Sequence, residues 1–375
     1  MQFQTRAVHA GREPDATTGA VVQPISLSTT FQIEQPGDSD SADRFSYARR
    51  ANPNRNALET ALAELDGGAA AAAFGSGSAA TMAVFQSLSP GDHVILPSAR
   101  YHGTLSLLRD LFGRWGLEYT AVEMDDPNEV ERAMTPRTRL VWIETPSNPK
   151  LIIVDIARTA AIAHAHNAVC CVDNTFGTPA LQRPFEHGAD LIVYSTTKYI
   201  SGHSDVLGGA VTTRVDDERW PIIRSVQHLG GAVPSPFECW LTLRSLSTLP
   251  LRMRAHCDGA LAVATFLDAH PKVSVVHYPG LASHPGHDIA RRQMSGFSGM
   301  LSFQHADGES AAMSTVTRAR LLRRATSLGG VESLIEHRAS TEGPTSQTPR
   351  DLIRLSIGIE HPVDLIADLE QALRP

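Results

Sequence analysis

The sequence predicts an α/β protein: a large domain built on a mainly parallel sheet, then a smaller α+β domain. Three observations carry this reading. Between about residues 56 and 250, short apolar runs alternate with helix-patterned stretches, the order in which parallel strands and their crossover helices follow one another. After Leu249-Pro250 the pattern changes to one long helical stretch and then a mixture of strands and helices. The composition, 375 residues with 42% hydrophobic and 19% charged, suits a folded chain of two or three domains and not a disordered one.

The elements follow in order. Residues 1–55 are rich in Thr, Gln, Pro, Ser and Asp, show no sustained helical period and read as an extended arm. Residues 56–250 form the large domain. Its strands are expected at Ala70–Phe74, His93–Leu96, Glu118–Val122, Leu140–Ile143, Ala168–Val172, Leu191–Tyr194 and Gly209–Thr213, with helices between them such as Ile156–His166. Residues 251–375 form the smaller domain. It opens with a helix from Leu251 to about Ala269, continues through strands at Met300–Gln304 and Leu352–Ile357, and closes with a helix at Asp364–Leu373.

The charge and the cysteines narrow the function. The net charge of −7 is spread along the chain without a Lys/Arg-rich run, which argues against nucleic acid as a partner. No apolar stretch reaches the length of a membrane span, and the first residues lack the apolar core of a signal peptide. Cys170, Cys171, Cys239 and Cys257 show no metal-ligand spacing and read as reduced structural thiols of a cytoplasmic protein, with no metal.

Two strand ends carry the chemistry. Lys198 sits in Ser195-Thr196-Thr197-Lys198-Tyr199, directly after the run Leu191–Tyr194, and Asp173 ends the run through Cys170-Cys171-Val172. Ligands of open α/β sheets bind at the carboxyl ends of strands. One amine and one carboxylate there are what pyridoxal 5′-phosphate (PLP) requires. The lysine forms a Schiff base with the aldehyde, and the carboxylate keeps the pyridine nitrogen protonated so that the ring accepts electrons.

Other segments admit two readings each. Phe74-Gly75-Ser76-Gly77-Ser78 is a strand, a Gly/Ser turn and a helix start; it cradles a phosphate or is a tight turn with a capping serine. Ser195 and Thr197 carry hydroxyls within reach of such a phosphate. Asn148, in Glu144-Thr145-Pro146-Ser147-Asn148-Pro149, donates to a cofactor oxygen or serves the turn. Tyr101 stacks on a flat ring and assists proton transfer, or is a packed tyrosine. Tyr47 and Arg49 bind a phosphate or lie in a solvated loop. Arg354, inside the apolar strand Leu352–Ile357, holds a substrate carboxylate or a structural ion pair. His203 lacks metal-ligand neighbours and reads as structural.

Taken together these segments resemble the Cys/Met-metabolism PLP enzymes, the transsulfuration family of cystathionine γ-synthase, cystathionine γ-lyase, cystathionine β-lyase and methionine γ-lyase. The resemblance runs from Val8-His9-Ala10-Gly11 through Tyr47–Arg55, Glu144–Pro149, Val172–Phe176 and Ser195–Asp205. It continues through Ser235-Pro236-Phe237 and Tyr278–Leu281 to Ser327–Leu334 and Arg354–Glu360. It implies the fold type I, aspartate aminotransferase-like architecture of PLP-dependent transferases. It implies Lys198 as Schiff-base lysine and acid/base, Asp173 on the ring nitrogen and Tyr101 on the ring. Gly77, Ser78, Ser195 and Thr197 would hold the phosphate. Tyr47 and Arg49 would reach the cofactor of a neighbouring subunit, which makes a dimer the catalytic unit of a homotetramer. Arg354, Ser327 and Asn148 would hold the substrate carboxylate and the O3′ region.

Within the family, Ser327-Leu328-Gly329-Gly330 resembles the members acting at Cγ. Two departures bear on the substrate. Members that handle cystathionine usually carry an arginine where this chain has Ser106, and methionine γ-lyases a cysteine where it has Gly103; His102 replaces a common glycine. The segment Glu336-His337-Arg338-Ala339-Ser340-Thr341-Glu342-Gly343-Pro344 differs from the usual Pro-Ala-x-Met-Thr-His. Glu336 and Glu342 are expected to favour a neutral or cationic distal group, while Arg338 opposes this or neutralises one of them. The expectation is γ-elimination from methionine, homocysteine, an O-substituted homoserine or a canavanine-like substrate, with cystathionine less favoured. The alternatives are a γ-replacement synthase of the cystathionine γ-synthase or O-acylhomoserine sulfhydrylase type, and a PLP-binding protein without turnover.

Overall fold

A computed structural model of the chain describes residues 1–33, 35, 45–344 and 346–374. Residues 34 and 36–44 of the expected arm therefore lie outside the described residues.

Seven strands form the large sheet: β1 (Ala70–Phe74), β2 (His93–Pro97), β3 (Glu118–Val122), β4 (Thr138–Glu144), β5 (Val169–Asp173), β6 (Leu191–Tyr194) and β7 (Gly209–Thr213), in the order β1-β7-β6-β5-β4-β2-β3. Strand β7 runs antiparallel to both its neighbours, and the remaining pairs are parallel. The mainly parallel α/β sheet is as the sequence predicts. Helices cover both faces, so alternate residues of one strand enter opposite cores. Trp142, Cys171 and Val193 pack with Phe74 and Phe85 on one face, while Val141, Ile143, Cys170 and Val172 pack with Ile95 and Ile156 on the other.

Register brings the chemistry to one edge. Glu144 pairs with Asp173, and Asp173 with Val193, so β4, β5 and β6 end side by side. Lys198 follows four residues beyond the end of β6.

The smaller sheet holds β8 (Val273–His277), β9 (Met300–His305), β10 (Arg323–Arg324), β11 (Leu334–His337) and β12 (Leu352–Ser356), in the order β10-β11-β12-β9-β8. The helices Leu249–Asp268 and Pro362–Leu373 cover one face. Val263, Leu267, Leu365 and Leu369 pack there on Leu301, Ile335, Ile353 and Leu355. Strand alternation turns Arg354 to the other face, where Glu336 is its register partner.

Two parts of the fold differ from the sequence reading. Phe3–His9 is a helix, and Ala7 and Ala10 are buried with Ala57, Leu58 and Ala61 of the helix Pro53–Asp66. Its alanine face is too short to show a period. Strands β8, β10 and β11 were not expected either. All three are short, and β11 carries Glu336 and His337 in four residues, which masks its burial.

The helix Pro53–Asp66 is tied to the sheet by a buried charge. Glu59 accepts hydrogen bonds from the Ala73 amide (2.9 Å), Gln227 Nε2 (2.7 Å) and Arg224 Nη1 (2.9 Å). Glu59→Ala strands these donors at the strand that feeds the Gly77 turn. It is expected to destabilise the fold by about 3 kcal/mol, and an unchanged thermal midpoint would contradict this role.

Candidate active site

A cavity of about 520 Å³ opens where the carboxyl edge of the large sheet meets the Arg354 face of the small one. Lys198, Asp173, Tyr101, Gly77, Ser78, Ser195, Thr197, Asn148, Ser327 and Arg354 all line it. The structure thus brings together ten residues that the sequence places in seven separate segments.

Lys198 Nζ donates to Ser327 Oγ at 2.7 Å. Burial, then the cations Arg354 and Arg338, push its amine down to about 8, against the opposing pull of Glu336. Ser327 itself has a positive φ of 79°, which costs a β-substituted residue roughly 1 kcal/mol or more. Two clamps hold it there: Lys198 on its hydroxyl, and Arg354 Nη2 on its carbonyl at 2.8 Å.

Asp173 is the end of β5. Its Oδ1 accepts from the hydroxyl (2.6 Å) and amide (3.1 Å) of Thr175, whose hydroxyl also accepts from the Ser195 amide at 2.9 Å. Thr175 thereby ties the loop after β5 to the loop after β6. Oδ2 of Asp173 enters none of the described hydrogen bonds. Burial raises the Asp173 pKa against the Thr175 bonds. Burial and then Asp173 itself push the adjacent Glu144 up to about 8. A cation set against Asp173 relieves both carboxylates, and a protonated pyridine nitrogen is such a cation.

At the other end of the cavity the helix Gly77–Gln86 begins. Ser76 Oγ caps the Ala79 amide at 3.1 Å, while the amides of Gly77 and Ser78 enter no described hydrogen bond. A Cβ on Gly77 would lie 2.8 Å from the Ser195 Cβ, so only glycine lets the turns after β1 and β6 close around one small group. Free amides at a helix N-terminus with Ser195 beside them suit a phosphate. The hydroxyl of Thr197 donates to the Gly208 carbonyl (3.1 Å) and accepts from the Gly208 amide (2.9 Å). It therefore has acceptor capacity left, not a free proton. A neutral-prone lysine, a buried carboxylate with an open oxygen and an unfilled amide nest in one cavity fit PLP.

Tyr101 hangs half-exposed over the cavity, its amide donating to Glu144 Oε2 at 2.7 Å. A Cβ at Gly103 would lie 2.3 Å from its Cε1, so the glycine is what lets the ring take this position. Arg354 is buried beyond Ser327. Its Nη1 donates to Asn148 Oδ1 (3.2 Å) and its Nη2 meets Glu336 Oε1 (2.6 Å).

Five further residues singled out in the sequence lie off this lining, and among them only Glu336 departs from its expected place. Glu336 does not line the cavity; its carboxylate lies behind the wall, bonded by Arg354 and Arg338. Tyr47 and Arg49 do not line it either. The Arg49 guanidinium sits 5.5 Å from the Tyr47 ring centroid, and its Nη1 donates to the His228 carbonyl. Ser106 faces back to His102 Nδ1 at 3.4 Å, outside the lining. His203 is exposed, bonded to the Ser201 carbonyl. Sequence reasoning missed Glu144, Thr175 and the inward position of Arg338. Glu144 was detectable as the strand-end counterpart of Asp173. Nothing in the sequence marks Thr175, and Arg338 stood out there only as a charge set against Glu336 and Glu342.

Two substitutions test this geometry. Lys198→Ala removes the yellow absorbance of covalently held PLP, and an unchanged band would refute the role of the amine. Gly103→Val displaces Tyr101 and is expected to lower turnover about tenfold or more; wild-type turnover would show that the ring position is immaterial.

Comparison with known proteins agrees with the site. The family described as Cys/Met metabolism PLP-dependent enzyme matches residues 4–374. The chain is 52% identical to the cystathionine γ-synthase of Mycobacterium tuberculosis, over 98% of this chain and 96% of that one. The crystal structure of metB from Corynebacterium glutamicum superposes with a TM-score of 0.96 at 46% identity, covering 100% of this chain and 98% of that one. That of cystathionine γ-lyase from Lactobacillus plantarum, complexed with L-serine, superposes with a TM-score of 0.94 at 40% identity, covering 99% and 98%. A strand-end lysine, an open aspartate and an amide nest on a fold type I scaffold thus have their counterpart in sequence, and this chain belongs to the Cys/Met-metabolism family of PLP-dependent enzymes.

Proposed function

We propose that the enzyme eliminates the γ-substituent of amino acids of the homoserine or homocysteine type. The carrying observation is the Lys198 amine. It lies in the cavity, is shifted to about 8, and is held by one described hydrogen bond to a hydroxyl rather than by a carboxylate. Such an amine takes up and returns protons near neutral pH. Similarity to proteins named cystathionine γ-synthase and cystathionine γ-lyase supports reaction at Cγ.

PLP, when bound, supplies an electron sink conjugated with the substrate nitrogen. The residues do the rest. Asp173 keeps the ring nitrogen protonated, Tyr101 covers the ring, and Gly77, Ser78 and Ser195 hold the phosphate, with Thr197 joining them once its hydroxyl turns from the Gly208 carbonyl. Arg354 still has its Nε outside the described hydrogen bonds and turns it, with Asn148 and Ser327 alongside, to the α-carboxylate. Lys198 removes the Cα proton and delivers it to C4′, and the amine thus freed takes a Cβ proton and gives it to the departing γ-substituent. One substrate and one water yield 2-oxobutanoate, ammonia and the protonated leaving group.

A second reading is γ-replacement, favoured by the 52% identity to a cystathionine γ-synthase. There a thiol adds at Cγ before the amino acid is released, and no ammonia forms. Tyr47 and Arg49 do not line this chain's own cavity, which supports their serving the site of a second copy in a dimer, itself half of a tetramer. Four free cysteines suit a reducing compartment such as the cytoplasm. Among the described residues no helix is long and apolar enough to cross a membrane.

A keto-acid release screen over γ-substituted amino acids, with and without a thiol, separates the readings. Release of 2-oxobutanoate that a thiol leaves intact supports elimination. A thioether formed at the expense of keto acid supports replacement. Neither product from any substrate would overturn both.

A further inference from the structure

Arg338 is a cation at the cavity wall with no part in the chemistry above. It follows β11 directly, at the start of the short helix Arg338–Glu342, and is 7% exposed. Its Nε donates to Glu342 Oε1 at 2.8 Å and its Nη1 to Glu336 Oε1 at 3.1 Å. Its Nη2 enters none of the described hydrogen bonds. A buried guanidinium fixed along two edges, with the third at a cavity, is set to receive something there.

The neighbouring carboxylates are already filled. Glu336 also accepts from Arg354 Nη2 at 2.6 Å and Thr341 Oγ1 at 3.3 Å. Glu342 also accepts from Ser346 Oγ at 2.6 Å and Thr348 Oγ1 at 2.7 Å. Arg354 and Arg338 carry the charge that Glu336 and Glu342 cancel. The set is therefore formally neutral, each carboxylate already accepts three described bonds, and Arg338 Nη2 is a donor outside them. Glu342 reaches the cavity lining, but Arg338, Ser346 and Thr348 engage both its oxygens, so a cationic group entering there meets no unpaired carboxylate on this wall. An anionic group meets the Nη2 edge of Arg338, a donor with no acceptor capacity.

We propose that Arg338 is a specificity-determining residue that reads the far end of the γ-substituent, and that it selects substituents ending in a carboxylate. This rests on the reading of the site as one acting at Cγ. Glu336 and Glu342 do not bind the substrate in this arrangement. They hold the Arg338 fork in one orientation, and Glu336 shares its Oε1 with Arg354, so the two arginines keep a fixed spacing. Tails that are neutral or cationic, such as those of methionine or canavanine, gain nothing from Arg338.

Two esters of homoserine isolate the tail. O-succinylhomoserine and O-acetylhomoserine break the same Cγ–O bond and differ in one distal carboxylate. Product formation by the PLP-loaded enzyme is measured for both, as keto acid or, with a thiol, as thioether. The wild type is expected to prefer the succinyl ester in kcat/KM by about tenfold or more. In Arg338→Gln the ratio of the two kcat/KM values falls about tenfold or more. Arg338→Gln removes a cation beside buried glutamates, so Arg338→Gln/Glu342→Gln, which removes one charge of each sign, is measured beside it; thermal unfolding and the cofactor band identify folded protein. A wild-type preference for the acetyl ester, or a ratio in a folded variant within about twofold of wild type, overturns the assignment of Arg338 while leaving Cγ chemistry standing. No product from either ester, with or without thiol, overturns the Cγ reading itself.

Discussion

The hydrogen bond from Lys198 to Ser327 joins the two halves of the site, and the remaining geometry depends on it. Lys198 belongs to the loop after β6 of the large sheet; Ser327 belongs to the turn that precedes β11 of the small one. Ser327 occupies a backbone conformation that a serine does not adopt freely, and its carbonyl is the second anchor of Arg354. A donor amine, a strained turn and the buried Arg354 are therefore one connected unit. Moving any one of them changes the position of the other two.

The electrostatics of the cavity follow from burying charges of both signs in separate places. The carboxylates Asp173 and Glu144 sit at the floor, where β4 and β5 end in register, and burial raises both. The cations Arg354 and Arg338 sit at the opposite wall with Glu336 and Glu342. Lys198 lies near the cationic wall, and its amine is lowered for that reason as well as by burial. The fold thus separates a floor that needs a cation from an amine that resists becoming one. A ring with a protonatable nitrogen at one end and an aldehyde near the other answers both demands. At a pKa of about 8, roughly one amine in ten is neutral at pH 7, against about one in three thousand at the ordinary value.

The parts legible in the sequence were those written as local patterns. Most strands of the large sheet could be read because strands buried on both faces appear as apolar runs, whereas β3, at the edge and largely exposed, was legible by its place in the alternation of strand and helix. Lys198 and Asp173 could be read because each directly ends or follows such a run. Strand β11 could not, since its polar Glu336 and His337 are satisfied by Arg354, Arg338 and Ser340, partners that only the folded chain supplies. The expected role of Glu336 at the substrate failed for the same reason: a carboxylate counted as free charge in the sequence is consumed by two arginines. Thr175 carries its role through a hydroxyl shared between two loops, and no spacing rule announces that. The arrangement of Gly103 beneath Tyr101 is likewise a matter of ring position, invisible without coordinates.

The central claim is that the fold holds the Lys198 amine in a form ready to react near neutral pH. The chain has three lysines, Lys150, Lys198 and Lys272, so lysine-labelled NMR of the cofactor-free protein, assigned with Lys198→Ala, reports the titration of this amine directly. The account predicts a midpoint near 8 for Lys198. A midpoint at the ordinary value of 10.5 would contradict it.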